Sequence, residues 1–516
     1  MSNVESLPTP TSTKRRLALR LLLAVFGSSI AYLVFPRLGI WPLMFPMVAF
    51  IYLSGRGLRF WRAALVGLLA GFTFFASQTF WLSMYLGPEP LIALSLLQGI
   101  IFAFFFGAGS AVITKLKTRL SGSRFALSAA GVAAVFWTSR EWFSGNYPYG
   151  GFPWARLVSS QTETPISRIV WLGGMPLADL LIVFVVVLGV ELLMLKRSIR
   201  HGSIALGSVL GLLILPLLLP ISAQAEDGTM KIASAQGNAN AGLFSNRESG
   251  RIYKNHIQAT EKLLASKEPF DLLVWPENAV DLDVFGTPSN YRDLEALVNK
   301  IDRPLIFGTV TERDKLYNTS VLWLPKQGKV DYYDKTKPVP FAEYVPDRAF
   351  WSMVAPDLIG LLSYDFSPGT RDGIFEVDGK KLGTLICFEI AVDDVPGKLV
   401  NGGAEVILSQ TNNSDFGKSD EAFQQLAIAK LRAIETGRSL VNISTVGPSA
   451  VYLADGTEVD ELSAFTRGFM NTKVPLRTSM TPAMFTVTPL TWLTVLCAVA
   501  LTIWLVASRV FEKRRR

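Results

Sequence analysis

The sequence predicts a membrane protein with a bundle of eight transmembrane α-helices and an α/β domain on the outer side of the membrane. Of its 516 residues, 50% are hydrophobic and only 18% are charged, with a mean hydropathy of +0.33, whereas soluble proteins carry about 25% charged residues. The net charge of +8 is unevenly spread, since 35 of the 42 acidic residues lie in 221–486. The net charge of that middle segment is −8, and the net charge of the two basic, apolar flanks together is +16. This distribution indicates a membrane part around a water-exposed domain rather than a nucleic-acid-binding protein.

Eight apolar runs approach the ~20 residues that a helix needs to cross a bilayer. The predicted spans are 17–35, 38–54, 63–84, 91–114, 125–140, 171–194, 203–222 and 488–507, of which the second and fifth are short. The run before Glu226 ends in small residues, as a signal peptide does, but it follows six other spans and is interpreted as the seventh. The predicted domains are therefore 1–222 (spans one to seven), 223–486 (the α/β domain) and 487–516 (the eighth span and a basic tail).

The loops between these spans alternate in charge. One set holds only Arg37, Arg140, Arg156 and Arg168, whereas the other set holds 18 basic residues. Positively charged loops stay in the cytoplasm, so we predict that both termini are cytoplasmic and that 223–486 lies outside. The basic set comprises Lys14, Arg15, Arg16, Arg56, Arg59, Arg62, Lys115, Lys117, Arg119, Arg124, Lys196, Arg197, Arg200, Arg509, Lys513, Arg514, Arg515 and Arg516.

From Met230 onward, short β-rich runs alternate with amphipathic helical stretches. Strands are predicted at 231–236, 271–276, 304–310, 320–324, 329–334, 404–412, 439–445 and 449–454, and helices at 252–265, 291–301 and 421–436. Asp378-Gly379 separates two β-rich runs and predicts a hairpin. Strands that alternate with helices and hairpins indicate an α/β sandwich.

Three polar residues follow predicted strands of this domain. Glu277 comes after DLLVWP, Lys335 after KVDYYD, and Cys387 ends the apolar strand GTLI. Together they would form a workable acyl-transfer set, because a carboxylate can take the thiol proton and an ammonium can stabilise the oxyanion. Taken singly, a strand cysteine is most often a small core residue, and the two charges are most often on the surface.

The sequence motifs around these residues resemble those of the nitrilase superfamily, in which a Glu-Lys-Cys triad occurs in this order. They are VWPENA (274–279), YDKTKPVPFAEYVP (333–346) and ICFE (386–389). REWFSGNYPYGGFPW (140–154), AQGN (235–238) and LRAIETGR (431–438), together with the eight-span plan, make the chain similar to the apolipoprotein N-acyltransferase family. This resemblance implies a nitrilase-like αββα sandwich in a bacterial inner-membrane protein.

The resemblance also implies residue roles. Glu277 would be the general base, Lys335 the oxyanion stabiliser and Cys387 the nucleophile. Glu343 would orient or neutralise Lys335, with an ordinary ion pair as the alternative. Phe388 and Glu389 would shape the site, although Glu389 could equally be a buried hydrogen-bond anchor. No metal and no cofactor are expected, since two histidines and two cysteines offer little for either.

The sequence departs from the family pattern at four positions. Pro338 stands where the family has leucine, Ala342 where it has glycine, Phe388 where tyrosine is common, and Asp415 where tryptophan is frequent. An indole at position 415 would contact lipid and a carboxylate would not. These departures bear on acyl-chain or headgroup preference rather than on the class of reaction.

The implied reaction has two steps. Cys387 takes an acyl chain from a phospholipid as a thioester, and the free amine of a diacylated apolipoprotein then removes it, giving a triacylated lipoprotein. Two alternatives remain open. One is a membrane-tethered carbon-nitrogen hydrolase (an amidase) with water as the acceptor, and the other is a transporter or scaffold with an inactive domain.

The family's substrates are lipids, and residues 341–366 have no clean helical or strand period. We therefore predict that this apolar segment, with Phe350, Trp351 and Leu361, forms a lipid-entry lid rather than part of the core.

Overall fold

The computed structural model describes residues 10–195, 199–242 and 248–514. Of the basic residues used for the topology prediction, Lys196, Arg197, Arg515 and Arg516 lie outside the described residues, as do the side chains of Lys14, Lys513 and Arg514.

The part of the chain before residue 220 is helical. Its helices are α1 (Pro10–Ser29), α2 (Ala31–Val34), α3 (Met44–Gly55), α4 (Phe60–Gln78), α5 (Leu82–Leu86), α6 (Pro88–Leu116), α7 (Gly122–Asn146), α8 (Val170–Leu193) and α9 (Ile199–Ile214). Short 3-10 helices lie at Trp41–Leu43, Leu157–Ser160, Pro165–Ile169 and Leu215–Leu218. Small residues let these helices approach closely. For example, a Cβ atom at Gly71 of α4 would lie 2.5 Å from Cβ of Phe102 on α6.

Within the described residues, six helical segments are long and apolar enough to cross a membrane. They are Arg15–Val34, Phe60–Gln78, Pro88–Leu116, Pro165–Leu193, Ile199–Leu218 and Ala483–Glu512. The predicted second span corresponds to the shorter apolar helix Trp41–Gly55, and the predicted fifth span to α7, which is 25 residues long but is not among the six. The structure thus supports a multi-helix membrane part.

The strands and remaining helices follow residue 228. The strands are β1 (Thr229–Gln236), β2 (Leu272–Val274), β3 (Leu305–Glu312), β4 (Leu316–Leu324), β5 (Gly328–Asp334), β6 (Ile374–Val377), β7 (Lys380–Ile386), β8 (Val406–Thr411), β9 (Ser439–Ser444), β10 (Ser449–Tyr452), β11 (Glu458–Leu462) and β12 (Gly468–Pro475). The helices are α10 (Arg251–Ser266), α11 (Pro288–Ile301), α12 (Arg348–Val354), α13 (Pro356–Gly360), α14 (Asp394–Asn401), α15 (Glu421–Thr436) and α16 (Ala483–Arg514), with 3-10 helices at Cys387–Ile390 and Ser414–Phe416.

Within the described residues, the strands form two sheets of six. The strand order is β12-β1-β2-β3-β4-β5 in the first sheet and β11-β10-β9-β8-β7-β6 in the second. An apolar core between the sheets joins residues such as Ile232 and Val274 of the first sheet to Leu382 and Val441 of the second. Side chains of α10 and α11 pack on the outer face of the first sheet. Side chains of α14 and α15 belong to the same apolar cluster as the membrane helices.

This layered arrangement is the predicted αββα sandwich. The predicted hairpin is confirmed, because β6 and β7 pair antiparallel across Asp378-Gly379. β11 and β12 were missing from the sequence-based prediction. β12 pairs antiparallel with β1 and leads into α16, so the chain returns to the membrane part directly from a sheet edge.

Candidate active site

Three polar side chains that follow strand ends come together at one end of the sandwich. Glu277 lies three residues beyond the end of β2, Lys335 directly follows β5, and Cys387 directly follows β7. β2 and β5 belong to one sheet and β7 to the other, so both sheets contribute. Lys335 Nζ is 3.7 Å from Glu277 Oε1. Cys387 is near enough to both charged groups for each to shift the pKa of its thiol.

Lys335 is held between two carboxylates. Its side chain is 2% exposed, and Nζ lies 2.8 Å from Glu343 Oε2 as well as 3.7 Å from Glu277 Oε1. Burial alone would lower the pKa of Lys335, but Glu343 and Glu277 raise it above its ordinary value. The ammonium therefore stays charged at neutral pH and is a fixed hydrogen-bond donor.

Glu277 is a buried carboxylate with one oxygen bonded and one open. Oε1 accepts a hydrogen bond of 2.7 Å from Asn318 Nδ2. Oε2 is buried and has no nitrogen or hydroxyl donor among the described residues. Burial raises the pKa of Glu277 to about 7, although the Lys335 charge opposes the shift and the Cys387 thiol also lowers it. A carboxylate with this pKa can both take and give a proton near neutral pH.

Cys387 occupies a sharp turn between a strand and a 3-10 helix. Its backbone φ of +54° lies in the left-handed region, a conformation that costs a non-glycine residue on the order of 1–3 kcal/mol and is often found at functional sites. The side chain is partly buried, and Sγ accepts a hydrogen bond of 3.5 Å from Gln425 Nε2. Burial and the Glu277 charge raise the pKa of the thiol well above its ordinary value, so the thiol needs a base to become a nucleophile.

Glu343 connects the lysine to the loop that follows β5. Its Oε2 accepts a 2.6 Å hydrogen bond from the backbone nitrogen of Val339 in addition to its ion pair with Lys335. Its Oε1 accepts one of 2.9 Å from Asn318 Nδ2, which also bonds Glu277. Asn318 is thus part of the site, and sequence reasoning missed it because a single amide just before a predicted strand carries no motif.

Glu389 is fully buried and joins the Cys387 turn to the segment after β5. Oε1 accepts hydrogen bonds from the Tyr333 hydroxyl at 2.7 Å, from the Thr336 backbone at 2.8 Å and hydroxyl at 2.7 Å, and from the Lys337 backbone at 3.2 Å. Oε2 accepts one of 2.8 Å from the Ile386 backbone. These five bonds are those of an anchor that fixes two loops relative to each other.

Glu421 is a further carboxyl group of the site, and the sequence did not reveal it. It is the first residue of α15 and is 3% exposed. Oε2 accepts a 2.9 Å hydrogen bond from Asn413 Nδ2. Burial raises its pKa to about 8, and the Glu277 charge adds to the shift. An acidic residue in the first turn of a helix is common for reasons of helix stability, so the sequence offered no signal of a buried site group.

Aromatic residues of the membrane part stack on the residue after the nucleophile. The Phe388 ring lies 6.3 Å from that of Phe152 and 6.4 Å from that of Trp154, with interplanar angles of 18° and 10°. Phe152 and Trp154 come from the GGFPW end of the motif at 140–154. In the same loop, Arg156 donates two hydrogen bonds, of 2.9 and 2.6 Å, to Asp393. The membrane part therefore contacts the Cys387 turn directly.

The apolar segment 341–366 forms two short helices, α12 and α13, beside Glu343. Phe350 is 51% exposed and Leu361 53% exposed. Trp351 packs against a small cluster within the segment, made of Val345, Ile359, Leu362 and Phe341. This cluster is separate from the main cores, and the segment leaves large apolar side chains on the surface.

Asp415 lies near enough to Tyr364 for its charge to raise the pKa of that phenol, although burial has the larger effect. Among the described residues, no group of three or more His, Cys, Asp or Glu side chains is arranged to hold a metal ion.

Two family models match the chain. Residues 27–188 match the apolipoprotein N-acyltransferase N-terminal domain, and residues 231–479 match the carbon-nitrogen hydrolase model. An apolipoprotein N-acyltransferase of Mycolicibacterium smegmatis is 29% identical over 503 residues, covering 89% of this chain and 80% of the relative. The chain belongs to the apolipoprotein N-acyltransferase family.

Other members of the family are similar over almost their full length. The apolipoprotein N-acyltransferase of Pseudomonas putida is 28% identical, covering 95% of this chain and 97% of its own. That of Aquifex aeolicus is also 28% identical, covering 85% and 95%. A solved amidase of the nitrilase superfamily from Nesterenkonia covers 51% of this chain and 95% of its own, with 16% identity and a TM-score of 0.38, a similarity too weak to carry an argument.

Proposed function

We propose that this chain is an N-acyltransferase that moves an acyl chain from a phospholipid to the N-terminal amine of a diacylated apolipoprotein. The observation that carries the proposal is the convergence of Glu277, Lys335 and Cys387 at one end of a carbon-nitrogen hydrolase domain that contacts apolar membrane helices. The relatives named apolipoprotein N-acyltransferase match both parts of the chain together. The product is a triacylated lipoprotein.

In the first step Glu277 takes the thiol proton while Sγ of Cys387 attacks the ester carbonyl of the phospholipid. The open Oε2 and a pKa of about 7 suit Glu277 to this task. The carbonyl oxygen becomes an oxyanion beside the Lys335 ammonium, which is already charged and fixed. The C–O bond then breaks, Glu277 returns the proton to the departing alkoxide, and a lysophospholipid leaves a thioester on Cys387.

In the second step the apolipoprotein amine attacks the thioester. Glu277 is again in its ionised form and accepts a proton from the amine as the C–N bond forms. Lys335 stabilises the second oxyanion, and the C–S bond breaks. The proton on Glu277 then returns to the sulfur, so the free enzyme is restored. A thioester is reactive towards amines and persists if water is kept out.

The proposal places the protein in the inner membrane of a bacterium. We propose that α3 and α7 cross the membrane together with the six longer apolar segments, which gives eight spans, cytoplasmic termini and an outer catalytic domain. The 18-to-4 distribution of basic loop residues supports this topology. An alkylation tag at Asp372 is expected to react from outside, and a tag after residue 516 only from the cytoplasm. Labelling of the Asp372 tag from the cytoplasm alone would overturn this topology.

The segment 341–366 is proposed to act as the lipid-entry lid. It follows Lys335 in the chain and contains Glu343, and Phe350 and Leu361 are more than half exposed. Exposed apolar helices beside a membrane-facing site are suited to the bilayer interface. In that position the lid would admit acyl chains and exclude water from the thioester.

The amidase alternative is less well supported. It would use the same triad, but it does not account for a catalytic domain in apolar contact with a membrane part whose relatives bear the acyltransferase name. An inactive scaffold is also disfavoured, since the three reactive side chains are present and assembled.

The deciding experiment is mass spectrometry of the purified protein after incubation with a phospholipid of defined chains. We expect an added mass equal to one acyl group on the Cys387 peptide. This added mass should disappear when a diacylated lipopeptide is supplied, and the lipopeptide should gain a third acyl chain. The Cys387→Ala variant should fold and show neither change. Loss of the adduct to water at the same rate without the lipopeptide would instead indicate a hydrolase.

A further inference from the structure

A chain of hydrogen bonds leads from a backbone amide to the nucleophile through side chains that the mechanism above does not use. Its members are Ser444, Asn413 and Gln425, which are 0%, 3% and 3% exposed. Gly447 supplies the backbone N–H, and Cys387 Sγ is the final acceptor. A backbone N–H can only donate, and the bonds that follow run in the same direction towards the sulfur.

The first half of the chain fixes the amide of Asn413. The Gly447 nitrogen donates to Ser444 Oγ at 2.9 Å, and the Ser444 hydroxyl is therefore free to donate to Asn413 Oδ1 at 2.7 Å. The Gly447 backbone lies close to this amide, since a Cβ atom at Gly447 would lie 2.3 Å from Asn413 Oδ1. With Oδ1 accepting, the Nδ2 group of Asn413 must face the other way and donate.

The second half sets the amide of Gln425. The two hydrogens of Asn413 Nδ2 go to Gln425 Oε1 at 2.8 Å and to Glu421 Oε2 at 2.9 Å. With its oxygen occupied in this way, Gln425 presents Nε2, rather than Oε1, to Cys387 Sγ at 3.5 Å. A donor pointed at sulfur favours the thiolate over the thiol.

We propose that Gln425 is a further catalytic residue of the acyl transfer, with Asn413 as the residue that positions it. Gln425 Nε2 stabilises the Cys387 thiolate both when it attacks the acyl donor and when it leaves as the amine resolves the thioester. No additional proton moves, since the thiol proton still goes to Glu277. The inference rests on the proposed function for its role in acyl transfer, but the hydrogen bond to sulfur is a property of the free enzyme.

Four groups influence the Cys387 sulfur, so a test must separate the effect of Gln425 from the effects of the other three. Glu277 and Glu421 raise the pKa of the thiol, whereas Lys335 and the Gln425 hydrogen bond lower it. Replacing Gln425 by methionine removes the donor at similar size and leaves all three ionisable groups in place. The neighbouring Gln424 provides a matched control, because its amide bonds Trp154, Trp81 and the Gln78 carbonyl and not the sulfur.

The test measures alkylation of Cys387 by iodoacetamide between pH 6 and 10 in the full-length protein, with peptide mass spectrometry as the readout. For Gln425→Met we expect a rate about tenfold lower at neutral pH and a profile shifted to higher pH, in keeping with the loss of one hydrogen bond to an anion. Gln424→Met should leave the Cys387 profile unchanged, and the wild-type protein measured in parallel is the reference for every variant. An unchanged profile for Gln425→Met would overturn the proposal.

Asn413→Leu, which removes the group that orients Gln425, should shift the profile in the same direction. The double variant Asn413→Leu/Gln425→Met should be no slower than Gln425→Met alone, since both changes remove one interaction. Additive losses would show that Asn413 does not act through Gln425. If Gln425→Met does not fold, the isosteric Gln425→Glu decides, because a carboxylate beside sulfur should slow alkylation even more and an unaltered rate would again overturn the proposal.

This experiment uses no lipid, so its outcome is distinguishable from failure of the proposed function. A lowered alkylation rate together with no acyl adduct from phospholipid would retain the role of Gln425 and reject the acyltransferase reaction. An acyl adduct that forms at a normal rate in Gln425→Met would reject the role of Gln425 in transfer.

Discussion

Two buried glutamates near the Cys387 turn have opposite surroundings. Glu389 accepts five hydrogen bonds, from Tyr333, Thr336, Lys337 and Ile386, and is wholly enclosed. Glu277 accepts one, from Asn318, and its Oε2 has no nitrogen or hydroxyl donor among the described residues. This contrast indicates which carboxylate can act as a base. A carboxylate whose two oxygens both accept hydrogen bonds holds the backbone in place. A carboxylate with one oxygen that accepts no such bond can exchange a proton.

The largest expected effect comes from removing the base. In Glu277→Gln, the amide oxygen can still accept from Asn318, but the side chain cannot take the thiol proton. We expect the rate of Cys387 acylation to fall by about 10²–10⁴, with little change in thermal stability because a buried charge is lost rather than created. Single-turnover acylation followed by mass spectrometry, with thermal unfolding in parallel, measures both. A normal acylation rate would show that Glu277 is not the base.

The anchor should respond in the opposite way. Glu389→Gln turns an acceptor towards the Ile386 N–H into a competing donor, so we expect the free energy of unfolding to fall by about 1–3 kcal/mol. The exposed Glu376 of β6 is the matched control, and Glu376→Gln should stay within about 0.5 kcal/mol of wild type. Chemical denaturation in detergent measures the difference. Unaltered stability of Glu389→Gln would remove the contrast between the two glutamates.

The lid should affect lipid access and leave the chemistry intact. For Phe350→Asp combined with Leu361→Asp, both more than half exposed, we expect a folded protein with acylation from phospholipid slowed by about tenfold, on the scale of two lost apolar contacts with the bilayer. Alkylation of Cys387 by a small water-soluble reagent should keep its normal rate. Misfolding of the variant would instead place the segment in the core.

The smallest expected effect concerns Glu421, whose pKa is raised to about 8 by burial. Below pH 8 this carboxyl is mostly protonated, so Glu421→Gln should change Cys387 alkylation at pH 7 by less than about twofold. Above pH 8 the wild-type carboxyl becomes negative and opposes the thiolate, and the neutral variant should then react faster. Equal rates at pH 9 would mean that Glu421 does not influence the sulfur.

The sequence predicted the main features of the fold from local patterns, and it predicted the three central residues of the candidate site from strand ends together with the family motifs around them. The hairpin at Asp378-Gly379 and the strand ends before Lys335 and Cys387 are examples. Asn318 and Asn413 were not predicted, because they act through partners that are distant in sequence, and Glu421 was not predicted, because an acidic residue in a first helical turn is ordinary. Asn413, for instance, meets Ser444 from a strand 31 residues away. The edge strands β11 and β12 have mixed burial and no clear alternation of buried and exposed residues. Their strand conformation therefore depends on pairing with the neighbouring strands.

The most direct test of the role of Glu277 is the pH dependence of single-turnover acylation of wild-type Cys387 by phospholipid. Because burial raises the pKa of Glu277 to about 7, the carboxylate is progressively protonated below that pH and can no longer accept the thiol proton. We predict a rate that is level above about pH 7 and falls tenfold per pH unit below it. A rate that instead rises steadily to pH 9 or beyond, with no inflection near 7, would show that free thiolate formed without Glu277 is the nucleophile and would contradict the account.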